Sequence, residues 1–316
     1  MNLAVVLEAL SDDPLDDALE FLRALAPAVT GLEVDVGGYA PARHCDMRGL
    51  LRDAVARRKF AAHVSSFGFT ISALNAWGNP LHPEPEVAQR HRDDLIEAVR
   101  LAVDLGVDRV VALAGCPAAS LGERTPAFAA GGWLPYLEGG WDRQWREVVE
   151  MEWTKIVAAA EAESKEMRIC LELHPGTVVY NVDTFLRVAE IGPSIAANLD
   201  PSHLFWMQMD PLVVIERLGP LIGYSHAKDT VFDPQELALN GVLDRRWPAA
   251  PDHLAWTFAV PGRGHDRSWW TGFVQALTRT SAHTLSIEME DPFVSARDGI
   301  AEASSFLERC GAGATS

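Results

Sequence analysis

A chain of 316 residues, 48% of them hydrophobic, is long enough to bury a large core as one α/β domain. Its 27 basic against 44 acidic side chains give a formal charge of -17, which opposes any partner with a phosphate backbone and so speaks against a nucleic-acid binder. Cys45, Cys116, Cys170 and Cys310 stand far apart with no C-x-x-C, so neither a zinc knuckle nor a disulfide framework is expected, and a reducing cytoplasm is the expected location.

The first apolar run, NLAVVL at 2–7, reads as a strand, and the acidic turn behind Glu8 is unlike the basic start of a signal peptide. A helical pattern at 15–28 leads to a second strand at 31–36, and one at 46–59 leads to a third strand at 69–75. The helix at 85–105 shows a stripe of Leu95, Val99, Ala102 and Val103 and stops at Gly106. Strands follow at 108–114, 167–173, 195–200, 221–227 and 284–289, with helices at 142–165, 182–191, 211–218, 267–279 and 296–310. Parallel neighbours need crossovers, and helices supply them, so eight strand-helix units predict a closed (β/α)8 TIM barrel over 1–310 with a short flexible tail at 311–316. GxGxxG and GxxxxGK are both absent, which argues against a doubly wound open sheet. No run reaches the roughly 18 apolar residues of a membrane span, so no membrane partner is expected.

Two long segments, 115–140 and 229–266, each follow a strand and therefore rise from the C-terminal rim, where barrel active sites are built. Their Gly, Pro and Trp content fits lids over a small substrate. Trp77, Trp133, Phe205 and Trp206 are the aromatic residues placed to stack on sugar C–H faces.

Four consecutive strands end on groups that a buried strand does not ordinarily accept: Glu172 in LELHPG, Asp200 in NLDPSHLFW, His226 and Glu288. At the C-terminal mouth they converge, and three carboxylates brought together repel one another unless a cation neutralises them. One divalent metal is expected there. Oxygen-rich ligation with one imidazole favours Mn²⁺, Mg²⁺ or Co²⁺ over a structural Zn²⁺.

TISALNAWGNPLHP, LELHPGTVVYN, NLDPSHLFW, HAKDT and SIEMEDP together resemble the blocks of the sugar phosphate isomerase/epimerase family, whose fold is the xylose isomerase-like TIM barrel. The resemblance covers nearly the whole chain. It extends to inosose dehydratases, ketose 3-epimerases and endonuclease IV relatives. It implies that Glu172, Asp200, His226 and Glu288 bind one divalent metal, Mn²⁺ first and Mg²⁺, Co²⁺ or Zn²⁺ as alternatives, and that Glu172 and Glu288 are also the catalytic acid and base. His203 matches the family histidine that contacts a substrate oxygen. His174 and Lys228 stand beside ligand positions and are expected to bind hydroxyl or carbonyl groups. Trp77 replaces the His that many relatives carry before GNPLHP, and Arg263 in PGRGHD is a basic residue that an inward-folded loop would bring to substrate.

The chemistry so implied is proton abstraction next to a carbonyl of a sugar, keto-sugar or inosose, through an enediolate. Reprotonation on the other face epimerises, reprotonation at the neighbouring carbon isomerises, and loss of a β-substituent makes the enzyme a dehydratase or lyase. An elimination on a 3-keto-glycoside, aided by a small partner subunit, is the alternative, and an endonuclease IV-like nuclease is the remote one. The partner expected is a small carbohydrate, with a homo-oligomer open. Glu290 and Asp291 follow the last strand where a phosphate would meet repulsion, so the substrate is expected to be unphosphorylated.

Overall fold

Short aliphatic runs separated by helices force parallel pairing, and the barrel that results is visible strand by strand. A computed structural model of the protein describes all residues except Pro41, Leu121 and residues 129–134, 244–252 and 314–316, with the backbone alone at 136–138. The strands are β1 (Asn2–Val6), β2 (Val29–Asp35), β3 (Thr70–Asn75), β4 (Arg109–Ala112), β5 (Arg168–Glu172), β6 (Ile195–Leu199), β7 (Ile222–Ala227), β8 (Asp229–Phe232), β9 (Trp256–Ala259) and β10 (Thr284–Ile287). Eight of them close in the order β1-β10-β7-β6-β5-β4-β3-β2, which is the (β/α)8 barrel expected from the alternation.

Two compact units make up the chain, the first comprising Met1–Glu33, His63–Ser72 and Leu199–Ser316. Within it β1 pairs in parallel with β10, from Asn2 opposite Thr284 to Val5 opposite Ile287. Side chains alternate along a strand, so Tyr224 and His226 on β7 point the same way, as does Lys228 just beyond it. Tyr224 is 1% exposed, and its hydroxyl lies 2.9 Å from Ser72 Oγ. Packing beside Ser72 is close: a Cβ at Gly31 would come within 3.0 Å of Ala4 Cβ and 3.3 Å of Ser72 Cβ. Burial, reinforced by the nearby Glu33, holds the Tyr224 phenol well above its ordinary pKa.

The segment 229–266 is more structured than a simple lid. β8 and β9 pair antiparallel from Asp229 opposite Ala259 to Phe232 opposite Trp256, and a helix at Pro234–Asn240 lies between them. The alternating, β-rich DTVF and WTFA account for the pairing. Arg245 and Arg246 lie outside the described residues. The buried Asp229 ties down the loop beyond β9: its Oδ2 accepts from the backbone N–H of Gly262 (3.0 Å), Gly264 (3.1 Å) and His265 (3.0 Å) and from the Trp270 indole (3.2 Å). Its Oδ1 meets His265 Nδ1 at 2.7 Å.

The second unit comprises Val34–Ala62 and Ala73–Asn198. Here β4 and β5 pair from Arg109 opposite Arg168 to Ala112 opposite Leu171, and Glu172 lies opposite Asn198 of β6. The helix Pro85–Leu105 buries Leu95, Ala98, Val99 and Ala102 and ends at Gly106 with φ 73°, as expected. Val103 falls off this stripe and is 37% exposed, because its place one residue past Ala102 turns it about 100° away from the buried face. The expected helix at 46–59 is two helices, Met47–Arg52 and Ala54–Ser66. Asp53 divides them, since its carboxylate accepts from Val55 N (2.8 Å) and Ala56 N (3.1 Å) and starts the second. The helix expected at 142–165 begins at Pro135 inside the first long segment, widens to a π-turn over Gln144–Val149 and continues over Glu150–Glu163. Trp133 lies outside the described residues.

Candidate metal centre

Strand ends bring the ionisable groups together, each held by backbone geometry. Glu172 is the last residue of β5, Asp200 follows β6, His226 lies in β7 and Glu288 follows β10. All four are buried, and one ligand atom from each lies within 4.8 Å of the others. Asp200 also starts the helix Pro201–Trp206, accepting from Ser202 N at 2.8 Å through Oδ1, which leaves Oδ2 turned to the cluster. The ring of His226 lies between two carboxylates: Nδ1 is 3.2 Å from Glu288 Oε2, and Nε2 is 3.1 and 3.3 Å from the two oxygens of Glu33. Lys228 Nζ stands 3.1 Å from Asp200 Oδ2, 2.6 Å from Glu288 Oε2 and 2.7 Å from Glu290 Oε2. Burial pushes the Glu288 carboxyl up to about 7, against the pull of Lys228 and His226.

Three carboxylates and one imidazole fit a divalent cation by the chemistry of their donors, since hard oxygens suit Mn²⁺, Mg²⁺ and Co²⁺ and an imidazole nitrogen extends the set to Zn²⁺. The ammonium of Lys228, bridging Asp200 and Glu288, marks the place where positive charge is accommodated.

The other residues singled out from sequence divide into two groups. His203, 3% exposed, reaches Asp200 Oδ2 at 3.5 Å and meets the ring of Phe258 edge-on at 5.3 Å, so it belongs beside the cluster with Lys228. His174 follows β5 two residues after Glu172, and its Nδ1 lies 2.6 Å from Pro175 O, a contact that orients the ring. Trp77 is half-buried beyond β3, its backbone N–H on Asn75 Oδ1 at 3.1 Å. Arg263 is not brought to the cluster: its guanidinium is paired with Glu302 at 2.9 and 2.8 Å and with Asp291 at 3.3 Å. Of the aromatic candidates, Trp206 stacks on Trp256 at 4.7 Å and Phe205 on the His265 ring at 3.7 Å.

Glu33 was not anticipated from sequence, and Glu290, read there only as a group that repels phosphate, is also a partner of Lys228. GLEVDV carried a signal, because Gly31, Glu33 and Asp35 share one face of β2 and an apolar run with two acids on one face is the same anomaly that marks the other strand ends. Within the second unit, a cavity of about 190 Å³ is lined by Tyr39, Asn79, Cys116, His174 and Thr177, with glycine, leucine and proline making up the rest. No carboxylate, ammonium or guanidinium lines it, and burial pushes the Cys116 thiol up to about 11.

The family described as the xylose isomerase-like TIM barrel matches residues 28–310. The uncharacterized protein YfiH of Bacillus subtilis (strain 168) is 34% identical over 304 residues, which cover 95% of this chain and 96% of YfiH. Among solved structures, the probable 3-DHS dehydratase AsbF of Bacillus anthracis, involved in petrobactin synthesis, superposes with a TM-score of 0.66 at 15% identity, over 98% of this chain and 99% of that one. The IolI protein, solved with a bound zinc atom, gives 0.64 at 15% identity over 98% of both chains.

Proposed function

We propose, from the premise that this chain belongs to the xylose isomerase-like TIM barrel family, that it is a divalent-metal-dependent isomerase or epimerase acting on a sugar, keto-sugar or inosose. The observation that carries the reading is the buried group of Glu172, Asp200, His226 and Glu288, with ligand atoms within 4.8 Å of one another. A divalent cation held by these four supplies Lewis acidity toward a carbonyl oxygen when bound, and Mn²⁺ is the first candidate among the ions that such a set suits. Glu172 and Glu288 have a second duty, exchanging a proton with the carbon next to that carbonyl from opposite faces. His203, His174 and Lys228 bind the substrate's hydroxyl and carbonyl oxygens, Trp77 lies against it, and buried walls exclude water. The net charge of -17 supports an unphosphorylated carbohydrate. The four cysteines, all buried and free, support a reducing, cytoplasmic setting.

Elemental analysis of the purified protein is expected to give close to one Mn²⁺, Mg²⁺, Co²⁺ or Zn²⁺ per chain, and Asp200→Asn is expected to lose it. Full occupancy in Asp200→Asn means that the cluster is not the metal site. Glu288→Gln keeps one ligand oxygen but no base, so it is expected to retain metal while substrate C–H exchange in deuterated water stops. Exchange at the wild-type rate in that variant sinks the acid-base assignment, and a dehydrated product sinks the isomerase or epimerase reading.

A further inference from the structure

We propose that Glu33 is a positioning residue that keeps a proton on His226 Nε2 and thereby presents Nδ1 to the cation, an inference that rests on the metal reading above. Both oxygens of Glu33 lie within reach of His226 Nε2, at 3.1 and 3.3 Å. An ionised carboxylate can only accept, so a short contact of this kind places the proton on Nε2. With a cation in the cluster, Nδ1 is then the nitrogen that lends its lone pair, because it is the one on the side of Glu288, a second ligand, at 3.2 Å from Oε2. Side chains of both Glu33 and His226 are 0% exposed, so no solvent competes for either nitrogen.

The placement is rigid because it comes from strands. Glu33 stands opposite Val6 of β1 in the barrel ladder, and Ser286 of β10 pairs with His226. Tyr224, one inward step below His226, fills the space beneath, its ring held by Ser72. A ligating imidazole whose second nitrogen donates to a carboxylate is fixed in tautomer and orientation and is more basic, and loss of such a partner typically lowers metal affinity about 10- to 100-fold. Glu33 acts through His226 and touches no substrate in this scheme.

The test uses the full chain labelled with ¹⁵N-histidine, with His226→Gln to assign the resonance. In the metal-free wild type, His226 is expected to carry a proton on Nε2; an Nε2 without one overturns the proposal, whatever the protein's metal content. Glu33→Gln retains an accepting oxygen, whereas Glu33→Leu removes it at similar volume. Titration with Co²⁺, followed by visible absorption, is expected to show affinity about 10- to 100-fold weaker in Glu33→Leu and a smaller loss in Glu33→Gln. Equal affinity in wild type and Glu33→Leu, or an equal loss in both variants, overturns the proposal while leaving the metal centre standing. If the wild type takes up no Co²⁺ or other divalent ion, the metal reading fails, and the nitrogen spectrum alone decides whether Glu33 fixes the ring. If Glu33→Leu does not fold, the spectra of wild type and Glu33→Gln decide it, since both must keep the Nε2 proton.

Discussion

His91, in the helix Pro85–Leu105, is 2% exposed, and its Nδ1 accepts from Asn79 N at 2.9 Å. Burial, partly opposed by the Asn79 carbonyl oxygen 3.4 Å from Nδ1, holds its pKa below the ordinary histidine value of 6.5. The folded state therefore binds this proton less readily than the unfolded chain. The stability that depends on neutral His91 is present above 6.5 and is lost as pH falls through that value toward the depressed folded one. Wild type is expected to lose more of its thermal midpoint between about pH 7 and 5 than His91→Gln, which has no imidazole to protonate. Parallel profiles from scanning calorimetry mean that His91 contributes nothing to acid sensitivity.

Among the elements, the loop pinned by Asp229 has the most concentrated dependence on one side chain. Three backbone N–H groups, the Trp270 indole and the His265 ring all meet one carboxylate that is 0% exposed. Asp229→Ala leaves these donors without their acceptor, and a stability loss of about 3 to 5 kcal/mol is expected from urea unfolding. A change below about 1 kcal/mol means that the loop is held by something else. The eight barrel strands were legible in the sequence because their aliphatic runs are short, regularly spaced and bounded by helical periods. The hairpin was not, because β8 starts one residue after β7 ends and its partner β9 begins only at Trp256. The four strand-end groups were legible by their chemistry alone, an acid or imidazole closing an apolar run. Glu33 was hidden for a different reason: the imidazole that explains it is 193 residues away, and only barrel closure brings the two together.

Over the whole molecule, the charge of -17 bears on which substrates reach the protein. Long-range repulsion slows the approach of an anion. Free ketoses and inososes are expected to turn over with higher kcat/KM than their phosphate esters; a clear preference for the esters overturns the expectation. Among the described residues no helix is long and apolar enough to cross a membrane. The closure of β1 against β10 also sets a schedule for biosynthesis. β1 ends at Val6, and its partner on that side begins only at Thr284, so a ribosome must add 277 intervening residues before one edge of the first strand can be capped. At about 5 to 20 residues per second this interval is on the order of 14 to 55 seconds, during which the nascent chain presents an aliphatic strand with an open edge, the kind of surface that chaperones shield.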